Sequence, residues 1–312
     1  MLIRDFIFWL SKKKSVTGWV ARSGMRHGFA KRFVPGETIA DAIAASRDLA
    51  PLVNAVCLNH LGESVSTTEE ARGARNSYIE ILEALESAKI PGNVSIKPTQ
   101  LGLEFDRSLC ESLTLEIADA AKRMGRTIEM DMESSAYTDA TIELFEAAQR
   151  RTGIVTLAIQ SYLKRSEADL ERLAPLSPKI RLVKGAYREP AAIAFQKKSD
   201  VDGNFCKLLD RLLHPTNQGK FFPAIATHDP KMLDYARGKI NQFGLAKDRY
   251  EFQMLYGIRR DLQQQLHEQG HAFRAYIPFG SEWCPYFMRR ISERPANLMF
   301  VLRSIFAEKK NP

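Results

Sequence analysis

From residue 53 onward the chain repeats one unit eight times: a short run rich in aliphatic and β-branched residues, a loop, then a helical pattern. The runs lie at 53–58, 94–97, 127–132, 154–160, 180–184, 222–227, 250–255 and 272–277. Strands that alternate with helices build parallel sheets, because a parallel neighbour needs a crossover long enough to hold a helix. Eight units favour closure into a barrel over an open doubly wound sheet, and 312 residues suit one (β/α)8 barrel as a single unit. The near-continuous apolar character of the runs predicts strands covered on both faces. The expected fold class is therefore α/β, a TIM-type barrel, with residues 1–50 as an N-terminal helical extension and 51–312 as the barrel domain.

Helix signals fall between the runs. Ser66 with Glu69 reads as a capping box ahead of a helix carrying Tyr78, Ile79, Leu82 and Leu85. Ser166 opens another helix, Asp229 before Pro230 gives an N-cap and a first-turn proline, and Gly270 closes the helix that begins near Ile258.

Bulk properties narrow the function classes. The net charge of +8 would suit an anionic partner, but charges of both signs are interspersed and no nucleic-acid-binding signature is present. A solvated basic surface is the simpler reading, and no nucleic-acid partner is expected. Cys57, Cys110, Cys206 and Cys284 lie far apart without CxxC spacing, so neither a zinc site nor a disulfide framework follows. A reducing, cytoplasmic compartment is the expectation. No apolar stretch is long enough to span a bilayer. The N-terminal MLIRDFIFWL followed by Ser11 and Lys12–Lys14 can be read two ways. It packs on the protein's own body, or it docks at the inner face of a membrane, with Phe6, Trp9 and Leu10 in the interface and the lysines on anionic lipid.

In a barrel of this kind the reacting groups stand at the C-terminal ends of the strands. Those positions here carry Lys97, Asp131, Glu133, Gln160, Arg181, Lys184, Thr227, His228, Gln253, Tyr256 and Tyr276. Buried strands rarely hold so many polar groups without a reason. Any one of them could be an ion pair sealing the barrel mouth; the whole ring favours binding or catalysis. Lys97 and Asp131, from neighbouring strands, are expected to pair, which suits Lys97 to hold a carboxylate rather than to form an imine. Near the C-terminus Tyr286, Arg289, Arg290 and Glu293 share one helical face, and two arginines side by side invite an anion between them. His228 has no second ligand at metal spacing, so no metal is expected, and a bond to backbone or phosphate suits it better. Lys184, Gly185 and Ala186 place a cation beside small residues where a cofactor can approach the backbone. No GxGxxG or Walker-type run is present.

At these residues the chain resembles the proline dehydrogenase family. The matching stretches are VSIK at 94–97, EMDME at 129–133, QSYLKR at 160–165, RLVKGAY at 181–187, ATH at 226–228, EFQML at 251–255 and RRISER at 289–294. The resemblance implies a distorted barrel with non-covalent FAD at its C-terminal mouth, L-proline as substrate and a membrane quinone as electron acceptor. It implies Lys97, Arg289 and Arg290 on the proline carboxylate, Leu255 and Tyr276 walling the ring, and two catalytic residues, Arg181 near the flavin N5 and Asp131 paired to Lys97. It implies flavin contacts from Met132, Gln160, Lys184, Gly185, Ala186, Thr227 and His228. One departure is Pro98, where the family carries an aliphatic residue after the lysine. The residues alone also admit the same chemistry on another cyclic amino acid, a Schiff-base aldolase barrel using Lys97 or Lys184, or a basic nucleic-acid-binding barrel.

Overall fold

The computed structural model describes residues 30–62 and 64–287. Thr38 opens helix α1 (Ile39–Leu49) with a reciprocal capping box to Asp41, and α1 buries Ala42, Ile43, Ala45 and Ser46 ahead of the first strand. Eight strands then alternate with helices: β1 Ala55–His60, α2 Thr68–Ser87, β2 Gly92–Ile96, α3 Arg107–Arg123, β3 Ile128–Met130, α4 Thr138–Thr152, β4 Val155–Gln160 and α5 Ser166–Leu173. There follow β5 Lys179–Val183, α6 Lys198–Leu213, β6 Phe222–Ala226, α7 Pro230–Gln242, β7 Glu251–Leu255, α8 Arg260–Glu268 and β8 Phe273–Phe279. Each strand pairs in parallel with its sequence neighbour, and β1 pairs with β8, so the barrel is closed. Helix α1 packs on β8 and α2, against the outside of that seam. Among the described residues no helix is long and apolar enough to cross a membrane.

The eight expected strands are present, and the structure corrects two local readings. The capping box of α2 is Thr67 with Glu70, one residue later than Ser66 with Glu69; Ser66 also donates to the Glu70 carboxylate from its backbone and its hydroxyl. The second correction matters more. Several strands, although buried on both faces, are not apolar on both; they alternate. Val56 and Leu58, Val94 and Ile96, Ile128 and Met130, Ile180 and Leu182, and Phe252 and Met254 belong to the apolar core shared with the helices. The intervening Ser95, Glu129, Arg181 and Gln253 face into the barrel and are polar, whereas β6 (FPAIA) carries no polar residue. Glu129 on β3 shows this directly: it bonds Asn93 on β2, Arg181 on β5 and Gln253 on β7, which only the barrel interior can bring together. A barrel interior is more usually filled by branched aliphatics.

The charges inside are therefore paired. Lys179 and Arg274 both hold the Glu251 carboxylate, at 2.8 and 2.9 Å. Burial alone would raise the pKa of Glu251, but the two cations outweigh it and hold it at about 2. A carboxyl whose folded pKa lies below its unfolded value of 4.5 contributes stability that is complete above that pH and is lost as pH falls toward 2. The contribution at neutral pH is roughly 3 kcal/mol. Thermal unfolding of the parent should lose its Tm steeply between those two values, and Glu251→Gln should flatten that slope. Equal slopes would show that the pair adds no pH-linked stability.

Candidate active site

Every strand-end residue singled out above that lies within the described residues sits at the C-terminal end of the barrel or just inside it. Lys97 and Asp131 follow the last residues of β2 and β3, Gln160 and Leu255 end β4 and β7, and Thr227 and His228 follow β6. Arg181 and Tyr276 project from within β5 and β8. Arg289, Arg290 and Glu293 lie outside the described residues, as does the segment 1–14.

Asp131 is the centre of the arrangement. Its carboxylate accepts from Lys97 Nζ at 2.8 Å, Ser95 Oγ at 2.8 Å, Tyr276 Oη at 3.0 Å and a terminal nitrogen of Arg181. Burial by itself would raise its pKa; Lys97 and Arg181 together overcome that and hold it well below the usual carboxylate range. Arg181 is gripped at its other terminal nitrogen by Glu129 at 2.6 Å, and its guanidinium lies 5.3 Å from the centre of the Tyr276 ring. Burial would lower the pKa of Arg181, and the two carboxylates more than reverse this. Burial first, then the Asp131 charge, drives Tyr276 upward, so its hydroxyl stays protonated and donates.

Lys97 has a second partner, the Asn59 side chain at 2.5 Å. An ammonium has three N–H donors, so among the described residues one remains for a ligand. The backbone behind it is fixed as well: Lys97 N–H donates to the buried Tyr78 hydroxyl, which in turn donates to Gln100. Pro98 is accommodated by the local backbone. It opens a 3-10 turn, Pro98–Leu101, where a missing N–H is tolerated, and Lys97 keeps an extended conformation.

A second cluster lies on the far side of the mouth. Lys184 Nζ donates to Asp202 on α6 at 2.5 Å and to Asp229, the N-cap of α7, at 2.7 Å. Lys198 joins the same two carboxylates. Thr227 Oγ1 accepts from Asp229 N–H, and His228 Nε2 accepts from Leu255 N–H at 2.9 Å, so in the neutral ring Nδ1 carries the proton. His228 is thus a backbone binder. Gly185 has φ +103°, and a Cβ there would run into the Tyr162 ring. Both lysines donate into acceptors, which is the opposite of what an imine-forming amine needs.

Among the buried side-chain atoms of the described residues left without a partner, which include Asn93 Oδ1, Thr156 Oγ1 and Gln253 Oε1 on the barrel strands, two belong to Gln160 and Arg181. Gln160 donates through its amide nitrogen to the carbonyls of Met132 and Glu133, which leaves Oε1 as an acceptor without a partner among the described residues. Arg181 Nε is a buried donor in the same position. Unpaired buried polar atoms are costly and rare, and together they offer one acceptor and one donor to a planar group lying on the barrel mouth.

Inspection of strand ends alone missed Asn59, Ser95, Glu129, Asp202 and Asp229. For Ser95 and Glu129 a signal was present: NVSIK and EMD each place polar residues two apart, on one face of a strand. Asp202 lies on a helix surface pattern and gives no such signal.

Three comparisons place the chain among known proteins. The family described as proline dehydrogenase matches residues 42–303. Proline dehydrogenase 2 of Bacillus subtilis is 35% identical over 305 residues, covering 98% of this chain and 99% of that protein. Proline dehydrogenase of Deinococcus radiodurans is 40% identical over 282 residues, covering 88% of this chain and 89% of that one. Among solved structures, proline utilization A from Bdellovibrio bacteriovorus, inactivated by N-propargylglycine, superposes with a TM-score of 0.79 at 23% identity. That alignment covers 91% of this chain and 34% of the larger protein, and it supports the barrel fold alone.

Proposed function

The chain belongs to the proline dehydrogenase family, and on that footing we propose that it oxidises L-proline to Δ1-pyrroline-5-carboxylate with non-covalent FAD, passing electrons on to a membrane quinone. The reaction is the first step of proline breakdown. The observation that carries this reading is the convergence of Lys97, Arg181 and Tyr276 on the buried Asp131 at the C-terminal mouth of a closed parallel barrel.

The residues fit a flavin. Gln160 Oε1 and Arg181 Nε present an unpaired acceptor and donor, matching the mixed acceptor and donor edge of an isoalloxazine. Met132, Gly185, Ala186, Thr227 and His228 would pack or bond around it, with the third N–H of Lys184 available to an anionic or carbonyl oxygen. FAD, when bound, supplies the two-electron acceptor for the hydride that leaves proline C5.

The chain's own groups bind and orient. The free N–H of Lys97 takes one oxygen of the proline carboxylate, and Arg289 and Arg290 are the proposed fork on the other. Leu255 and Tyr276 wall the ring and hold C5 in reach of the acceptor. Excluding water from the amine favours its neutral form, which hydride departure requires. Asp131 is a poor proton acceptor, since two cations hold it ionised; its part is to fix Lys97, Arg181 and Tyr276. Arg181 supplies fixed positive charge where negative charge develops.

The test is a visible spectrum of the purified protein followed by anaerobic L-proline. Flavin bands that bleach support the proposal; a colourless protein, or bands that proline leaves unchanged, overturns it. Arg289→Ala should raise the proline KM by about 100-fold, the loss of one charge-assisted fork worth about 3 kcal/mol. Flavin content should stay at the parent level. An unchanged KM would take Arg289 out of the clamp.

A further inference from the structure

The ion pairs described above are one continuous chain. From the mouth inward it runs Lys97, Asp131, Arg181, Glu129, Arg274, Glu251 and Lys179, cation and carboxylate in strict alternation across β2, β3, β5, β7 and β8. Glu129 is the central carboxylate and is 0% exposed. Its Oε2 takes Arg181 at 2.6 Å, and its Oε1 takes Gln253 at 2.9 Å and Asn93 at 3.3 Å, with Arg274 at 3.6 Å. Four donor groups from four other strands thus hold one carboxylate. Glu133, beside the mouth, is bonded to Thr99 rather than to a cation and lies outside this chain.

Arg181 depends on Glu129 for its geometry. Glu129 and Asp131 are two residues apart on the inward face of β3 and take one terminal nitrogen each, so the guanidinium is held at both ends with Nε left over. Asp131 already serves Lys97, Ser95 and Tyr276. With one end released, the guanidinium could turn about the remaining bond. The charge also matters. A buried carboxylate next to a cation reduces the positive potential that the cation projects, and low-dielectric surroundings do little to screen it.

We infer that Glu129 is a positioning residue of the reaction: it fixes the plane of Arg181 and, through its charge, sets how strongly the barrel floor favours the reduced, electron-rich flavin. This rests on the proposed function and adds to it a residue that touches neither substrate nor cofactor.

Two substitutions separate charge from shape. Glu129→Gln keeps the shape and removes the charge, so the flavin midpoint potential, measured by reductive titration against a reference dye, should become more positive than in the parent. Glu129→Asp keeps the charge and shortens the reach, so the potential should remain at the parent value. Its kcat should fall by at least about tenfold, while the affinity for tetrahydrofuran-2-carboxylate, a ring analogue that keeps the carboxylate and has no amine to oxidise, is unchanged. A structural role alone predicts a lower Tm in both variants with no change in potential and no split between kcat and inhibitor affinity, and that result overturns the inference. Should the glutamine variant not fold, a parental kcat in the aspartate variant overturns it equally. A parent protein without flavin bands would instead refute the functional reading itself.

Discussion

Asp131→Ala is expected to lower kcat/KM for L-proline by about 1,000-fold or more. One carboxylate orders three side chains of the proposed site, Lys97, Arg181 and Tyr276, and each donates to it directly. Removing one partner of a buried ion pair leaves an uncompensated charge and costs about 3–5 kcal/mol. Here two cations lose their shared counter-charge, so Lys97 and Arg181 repel and turn away from the geometry that aims them. A loss of about 4 kcal/mol in transition-state stabilisation corresponds to the thousandfold figure. Asp131→Asn should recover part of the KM effect, because an amide oxygen still accepts from Lys97, but little of kcat, because its NH2 faces a second cation. Steady-state kinetics with the flavin content measured in parallel decides the matter. A kcat/KM within tenfold of the parent in Asp131→Ala would remove Asp131 from the centre of the site.

Much of this was legible in the sequence, and the limits have physical causes. The barrel could be read because β-branched runs, turn residues and helix caps are local signals, repeated eight times. The ring of candidate residues followed from a rule of place: polar groups at the C-terminal ends of buried strands. Lys97 and Asp131 could be paired because they occupy adjacent strands in register. Glu129 could not, since its partners Arg181 and Gln253 lie 52 and 124 residues away and nothing local says which buried charges meet across a barrel. The polar interior was hidden for a related reason. Runs such as NVSIK and KIRLV are buried on both faces as expected, but they are apolar enough to read as apolar on both, although their period-two polar residues were the sign of an inward polar stripe. The capping box slipped by one because Ser66 and Thr67 are chemically alike and only the backbone geometry chooses between them.

The largest effect away from the charged centre is expected at Gly185. Its φ of +103° is a conformation that side chains with a Cβ rarely adopt, and a Cβ there would lie closer than 3.0 Å to three ring carbons of Tyr162. Tyr162 has little room to give. It is buried with Leu163 and Ala194, and its backbone N–H donates to the carbonyl of Lys184 at 2.9 Å. Relieving the clash therefore moves the strand end that carries Lys184, and with it the ammonium held between Asp202 and Asp229. Gly185→Ala should cost roughly 2–4 kcal/mol, strain and overpacking together, and should weaken FAD binding by about tenfold or more. Gly153→Ala is the matched control: φ is +73°, yet nothing lies within 4 Å of the added Cβ. It should show the backbone strain alone, about 1 kcal/mol, with full flavin content. Thermal unfolding and the ratio of flavin to protein absorbance distinguish the two. If Gly185→Ala keeps the parental flavin content and unfolds at the temperature of Gly153→Ala, the close approach at this strand end has no bearing on the cofactor.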